Sequence, residues 1–233
     1  MNAPKDDADT DGFVLHLRPY TDSRILVDVF TRGFGRFTAV ARLTKQQGRS
    51  NFEPFKVLSL AWRGKYELKF LYQTEVQATR AYRLNGSLAF CGLYLNELLT
   101  RLIPTHQACE GVFDNYEACL ASLSRIAGLT EAEPYLRKFE FALISELGYG
   151  INWLNAKDGR PIEADKRYWF NGEEFCVFSE ASSVNVFRGD QILEIGRGVY
   201  EGALRAPAKV IARQVIDRLL EGRTLKSREL FRS

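Results

Sequence analysis

GFVLHLRPYTDSRILVDVFTRGFGRFTAVAR, residues 12–42, alternates in two-residue steps almost throughout. Phe13, Leu15 and Leu17 alternate with Val14, His16 and Arg18. Ile25, Val27 and Val29 flank Leu26 and Asp28, and Phe37, Ala39 and Ala41 flank Thr38 and Val40. A period of two assigns successive side chains to opposite faces of a sheet. Two further runs follow, Phe55 to Trp62 and then Leu68, Phe70 and Tyr72. The breaks are turn-like: Pro19-Tyr20-Thr21-Asp22, Gly33-Phe34-Gly35, Gln46-Gln47-Gly48 and Arg63-Gly64-Lys65. Five antiparallel strands this short leave unpaired edges if laid flat, which predicts a small closed barrel over residues 12–80. Its size suits an OB-fold, and an SH3-like barrel nearly as well.

The charge of this segment is one-sided. Residues 12–80 hold twelve Lys/Arg against five Asp/Glu, an excess of +7. Cations displace the counterions condensed on a nucleic acid, and spare aromatic rings stack on its bases. Arg18, Arg24, Arg36, Arg42, Lys45, Arg49 and Lys65 are the candidate DNA-contacting residues. Arg42, Lys45 and Arg49 enter a loop with Gln46, Gln47 and Ser50, from which cations reach phosphates without disturbing a core. The same charges also suit a barrel that is merely solvated, or a scaffold that binds protein and has no direct role on DNA.

The net charge of +3 over 233 residues conceals a division. Residues 81–204 hold 11 Lys/Arg against 17 Asp/Glu, and residues 205–233 hold 8 against 3. Met1 to Asp11 is polar and acidic, lacks a signal-peptide core, and reads as a disordered tail. No run of eighteen apolar residues spans a membrane. Cys91, Cys109, Cys119 and Cys176 lie far apart without a C-x-x-C pair, which suits buried thiols of a cytoplasmic protein.

From residue 81 to 233 the pattern predicts a mainly helical domain, making the chain α+β. Leu88, Cys91, Leu95, Leu98, Leu99 and Leu102 mark a first helix stopped by Pro104. A second runs from about Cys109 to Ile126. A third opens at Glu133-Pro134, carries Leu136, Phe139, Leu143 and Leu147, and ends at Gly148-Tyr149-Gly150. The three are expected to form one bundle. Helical spacing fades over 151–198, where Tyr168-Trp169-Phe170 and Phe175-Cys176-Val177-Phe178 suggest a hairpin. It returns between Gly198 and Gly222 around Val210, Ile211, Val215 and Leu219.

A search for catalytic chemistry comes back nearly empty. The two histidines, His16 and His106, have no motif partner, and no phosphate-cradling or nucleophile-elbow motif occurs. Carboxylates gather between Asp158 and Glu174 in a loop-rich region, where solvated turns explain them better than a cation or nuclease site. The chain reads as non-enzymatic, with no cofactor. Arg137-Lys138 stands apart, because a cationic pair beside the apolar face of a strong helix suits an acidic-aromatic peptide terminus.

Several segments, in order along the chain, resemble the bacterial RecO recombination mediators. They are GFVLHLRPY (12–20), LVDVFT (26–31) with Gly35-Arg36, LYLNELLTRL (93–102), EPYLRKFEFAL (133–143) with LGYG (147–150), and LKSRELF (225–231). The resemblance implies an N-terminal OB-fold and a helical C-terminal domain. It implies binding of single- and double-stranded DNA, strand annealing, and, with RecR, loading of RecA onto SSB-coated strands. It implies that the acidic C-terminal tail of SSB docks on the helical domain, at Arg137 and Lys138, and that the protein works at the nucleoid. One departure is visible. Many members hold zinc with four cysteines after the third helix, whereas residues 148–198 contain Cys176 alone, so no metal is expected. Arg42-Leu-Thr-Lys45 also stands where many members show Lys-Gly-Ala-Arg, keeping the end charges without the glycine.

Overall fold

The computed structural model describes residues 10–43, 52–64, 69–179 and 185–231. By its contacts the chain falls into two compact units, Met1–Arg125 with Leu225–Ser233, and Ile126–Thr224. The chain therefore passes twice between them, and the C-terminal segment belongs with the first.

The first unit holds five strands, β1 (Thr10–Thr21), β2 (Arg24–Thr31), β3 (Gly35–Arg42), β4 (Lys56–Arg63) and β5 (Lys69–Ala81). They close into a barrel in the order β1-β2-β3-β5-β4. β1 pairs antiparallel with both β2 and β4, and β3 meets β5 in parallel. This is an OB-type barrel, and the parallel β3–β5 pairing departs from the expected all-antiparallel arrangement, because periodicity fixes faces but not strand direction. Thr10 and Asp11, read as tail, belong to β1. Ile25, Val27, Val29, Phe37, Ala39, Ala41, Leu58, Leu60 and Trp62 fill the interior. A register shift between Val14 and His16 turns both Val14 and Leu17 inward, breaking the strict alternation of β1.

Two helices belong to this unit, α1 (Ser87–Leu102) and α2 (Glu110–Leu123). The outward rings of Phe13 and Phe30 meet Phe113 of α2 at 5.3 and 5.6 Å, so α2 covers one end of the β1–β2 face. A buried polar chain fixes this packing. The Tyr116 hydroxyl donates to Asn96 Oδ1 (2.5 Å), and Asn96 Nδ2 donates to the Leu15 carbonyl at the β1 irregularity (3.1 Å). The 3₁₀ segment Lys226–Phe231 docks on α1, where the Glu97 carboxylate accepts the backbone N–H of Lys226 and Ser227 and the Ser227 hydroxyl.

The second unit contains α3 (Leu129–Glu146), strands β6 (Arg167–Phe170), β7 (Phe175–Val177) and β8 (Val186–Arg188), then α4 (Gly189–Gly196) and α5 (Arg205–Leu219). The expected three-helix bundle divides: α3 belongs here, with α5, which it meets through the Lys209–Glu133 ion pair (2.7 Å). α3 also starts at Leu129, a turn before the expected Glu133-Pro134, and carries Pro134 inside. The hairpin forms as β6–β7, and β8 adds a third strand in the order β7-β6-β8. Phe170, Phe175, Phe187 and Trp153 gather around it.

Candidate nucleic-acid interface

The cations of the barrel are sorted by position. At the helix-covered end they are engaged. Arg32 meets Asp114 and Glu110 of α2. Arg80 bonds Asp11 and Glu117, and the Tyr82 hydroxyl donates to the same Glu117 (2.7 Å). Burial first, then the hydrogen bond to Glu117 and its charge, push the Tyr82 phenol up to about 12. Lys56 is held by Glu53. Arg36 is half-buried, and its Nε donates to the Ile103 carbonyl just past α1 (3.2 Å). Burial pulls its pKa below the usual arginine value, with Asp28 opposing. Arg36 thus fastens the barrel to the segment after α1 instead of joining an open cationic face.

The other end is open. Arg24 on β2 lies directly opposite Arg42 on β3, on the side facing away from the core, and both are exposed. Like charges so placed destabilise a ladder. Arg63 closes β4 on the same outer side, in register with Phe70 of β5, which pairs in turn with Val40. Among the described residues none of Arg24, Arg42 and Arg63 forms an ion pair, although Asp22 occupies the β1–β2 turn. Arg18 also faces outward but is held at 3.2 Å by the buried Asp28, which accepts a further hydrogen bond from Thr38 (2.5 Å). Of the sequence-predicted residues, the structure brings Arg18, Arg24 and Arg42 to one face and leaves Arg36 some six residues, about 20 Å, away along β3. Lys45, Arg49 and Lys65 lie outside the described residues. Arg63 joins the face although it was counted only in the overall excess; its position at a strand end before a turn was the available signal.

The pair on α3 separates. Lys138 is exposed, whereas Arg137 is only 6% exposed and its Nη2 donates to the equally buried Glu140 at 2.6 Å. The arginine points into the unit because α3 is buried over a wide arc, from Ala132 and Leu136 through Phe139, Glu140 and Ile144. The R-x-x-E spacing was the readable sign of that internal ion pair.

Four of the five carboxylates between residues 158 and 174 are likewise engaged in ion pairs: Asp158 with Arg160, Glu163 with Lys166, Glu174 with Lys157, and Glu173 with Arg218. The residues present do not fit the zinc of the family's four-cysteine members. Among the described residues no three metal-ligating side chains converge. The Asn171 amide donates to the Cys176 sulfur (4.0 Å), and burial, with smaller contributions from Glu174 and Asp158 opposed by Lys157, raises the thiol's pKa. Tilted ring contacts of Trp153 and Phe170 with Phe175 brace this sheet.

Fold and face together define an OB-barrel protein whose exterior is cationic at one end and neutralised at the other. Comparison with known proteins places it more closely. Residues 6–80 match the family model for the N-terminal part of recombination protein O, and residues 83–189 match that for its C-terminal part. The chain is 38% identical to the DNA repair protein RecO of Cellvibrio japonicus over 227 residues, 94% of each chain. It is 37% identical to that of Haemophilus influenzae, again over 94% of each. Against Stutzerimonas stutzeri the identity is 40%, covering 94% of this chain and 91% of the relative. The chain belongs to the RecO family, and the resemblance read in its sequence is borne out.

Proposed function

We propose that this protein is a DNA-repair and recombination mediator that binds single- and double-stranded DNA on the open end of its barrel and anneals complementary strands. The observation that carries this reading is the set of exposed guanidiniums on one outer face, Arg24, Arg42 and Arg63, none of which forms an ion pair among the described residues. They flank the β1–β2 turn and the β4–β5 loop, the region with which OB barrels meet oligonucleotides. Arg18 sits beside them, and the chain from Arg42 leads within a few residues to Lys45 and Arg49, while Lys65 follows Arg63.

Annealing requires no covalent chemistry. Neutralising two phosphate backbones lowers their repulsion, and holding both strands on one surface raises their local concentration. Family membership supports two protein partners, RecR and SSB, and a role in loading RecA onto SSB-coated strands in the cytoplasm, at the nucleoid. The acidic SSB terminus meets α3 through the exposed Lys138, while Arg137 acts from inside by holding Glu140 and the shape of the helix. No described helix is long and apolar enough to cross a membrane.

The test is annealing of complementary strands coated with SSB, run with intact SSB and with SSB lacking its acidic terminus. Acceleration over the spontaneous rate, diminished by the truncation, is expected. No acceleration of bare or coated strands would refute the proposal.

A further inference from the structure

We infer that Phe70 is a base-stacking platform through which this face favours unpaired strands over duplex. The inference rests on the DNA-binding reading above and adds to it a specificity-determining residue. A single row of paired residues crosses all five strands: Arg18 to Leu26, Leu26 to Val40, Val40 to Phe70, and Phe70 to Arg63. Paired residues share a face, so the row lies on the outer side of the sheet while Leu71 turns into the core; Arg18, Phe70 and Arg63 are exposed there, whereas Val40 is covered at 3% exposure. The row is cationic at both ends and apolar in the middle. Its ends stand four inter-strand spacings apart, about 19 Å along the sheet.

Phe70 is 41% exposed next to the Arg63 end of that row, and Tyr72, two residues on and on the same side of β5, is 50% exposed. The barrel interior does not require either ring, since Leu71 supplies the inward contact of this stretch. A phenylalanine has no polar atom for water to satisfy, so its exposed face gains from any flat apolar partner. The partner must also carry negative charge beside its apolar face, because the exposed Arg63 adjoins the ring in register. An unpaired nucleobase between its phosphates has that chemistry. A duplex offers the same phosphates, but its base faces are already stacked on one another. The arginines therefore act on both forms of DNA, and Phe70 acts on one.

The experiment compares Phe70→Leu with the wild-type chain, using a single-stranded thymidine oligonucleotide and a hairpin duplex, each over a range of salt. Leucine keeps an apolar residue at the position and removes the ring; circular dichroism checks the fold. Single-strand affinity is expected to fall about tenfold, with duplex affinity within about twofold and both salt slopes unchanged. Phe70→Tyr, which keeps the ring, is expected to bind both probes as the wild type does. An unchanged single-strand affinity in Phe70→Leu, an equal loss on both probes, or a loss in Phe70→Tyr would overturn the inference. Arg24→Gln/Arg42→Gln in the same assay separates the two readings. If it weakens both probes while Phe70→Leu does nothing, DNA binding stands and the stacking role falls; if the wild-type chain binds neither probe, DNA binding itself falls and takes the stacking role with it.

Discussion

Replacing Arg24 and Arg42 by glutamine removes two guanidiniums that face each other across the β2–β3 ladder and form no ion pair among the described residues. Two effects of opposite sign follow. Partners in such a ladder have Cβ atoms about 5 Å apart, and two unit charges at roughly 6 Å in water repel by about 0.7 kcal/mol. Relieving that repulsion leaves the folded barrel as stable as before or more stable by a few tenths of a kcal/mol. DNA binding moves the other way. Each phosphate contact contributes about 0.7 to the slope of log K against log salt on single strands and about 0.9 on duplex. Loss of two contacts flattens the slope by about 1.4 and 1.8, which near 0.15 M salt is a loss of about tenfold in affinity or somewhat more. Fluorescence anisotropy over a salt series, beside urea unfolding, measures both. A folded variant with the wild-type slope would remove this pair from the interface, and a destabilisation above about 2 kcal/mol would show that the arginines are structural.

Arg137→Ala removes a buried ion-pair arm from Glu140 and is expected to destabilise the second unit by about 2–4 kcal/mol, whereas Lys138→Ala stays within about 0.5 kcal/mol; urea unfolding followed by tryptophan fluorescence distinguishes them. Tyr116→Phe removes the donor to Asn96 Oδ1 and is expected to lower stability by about 1–3 kcal/mol, without changing the salt slope of DNA binding. The Glu97 carboxyl is raised by burial, but hydrogen bonds from Ser227 and Lys226 and the charge of Arg101 outweigh this and hold it below the usual carboxylate range. A depressed folded pKa gives stability that is present above the unfolded value and lost as pH falls through the folded one. Amide exchange across Lys226–Phe231, corrected for intrinsic rates, should therefore accelerate as the pH drops below that range, and Glu97→Gln should accelerate it at neutral pH. Unchanged protection in the variant would show that other contacts hold the segment.

The barrel was legible because its strands obey a two-residue period and its turns carry Gly, Pro and Asp at the breaks. That it closes was legible too, but not the parallel β3–β5 pairing by which it does so, which joins residues some thirty positions apart. The outward direction of Phe70 was hidden as well. Leu68, Phe70 and Tyr72 make an attractive apolar alternation, yet Leu71 takes the core position and the two rings face out. Charge counting found the excess on the barrel but not its distribution. Arg32 and Arg80 resemble Arg24 and Arg42 in sequence, but Asp114 and Glu110 of α2 are folded against the first and Glu117 of α2 and Asp11 of β1 against the second. Arg137 was misread for a related reason. Leu136, Phe139 and Leu143 marked the inward face of α3, and burial extends one residue further round the helix than those apolar positions indicate.

Equilibrium titration of the full chain with a single-stranded oligonucleotide near physiological ionic strength bears on everything proposed for the barrel. Saturable binding in the micromolar range or tighter, with log K falling linearly as log salt rises, is the predicted result. A folded protein that leaves the oligonucleotide free, or binds it with no dependence on salt, would contradict the assignment of the open arginine face to DNA.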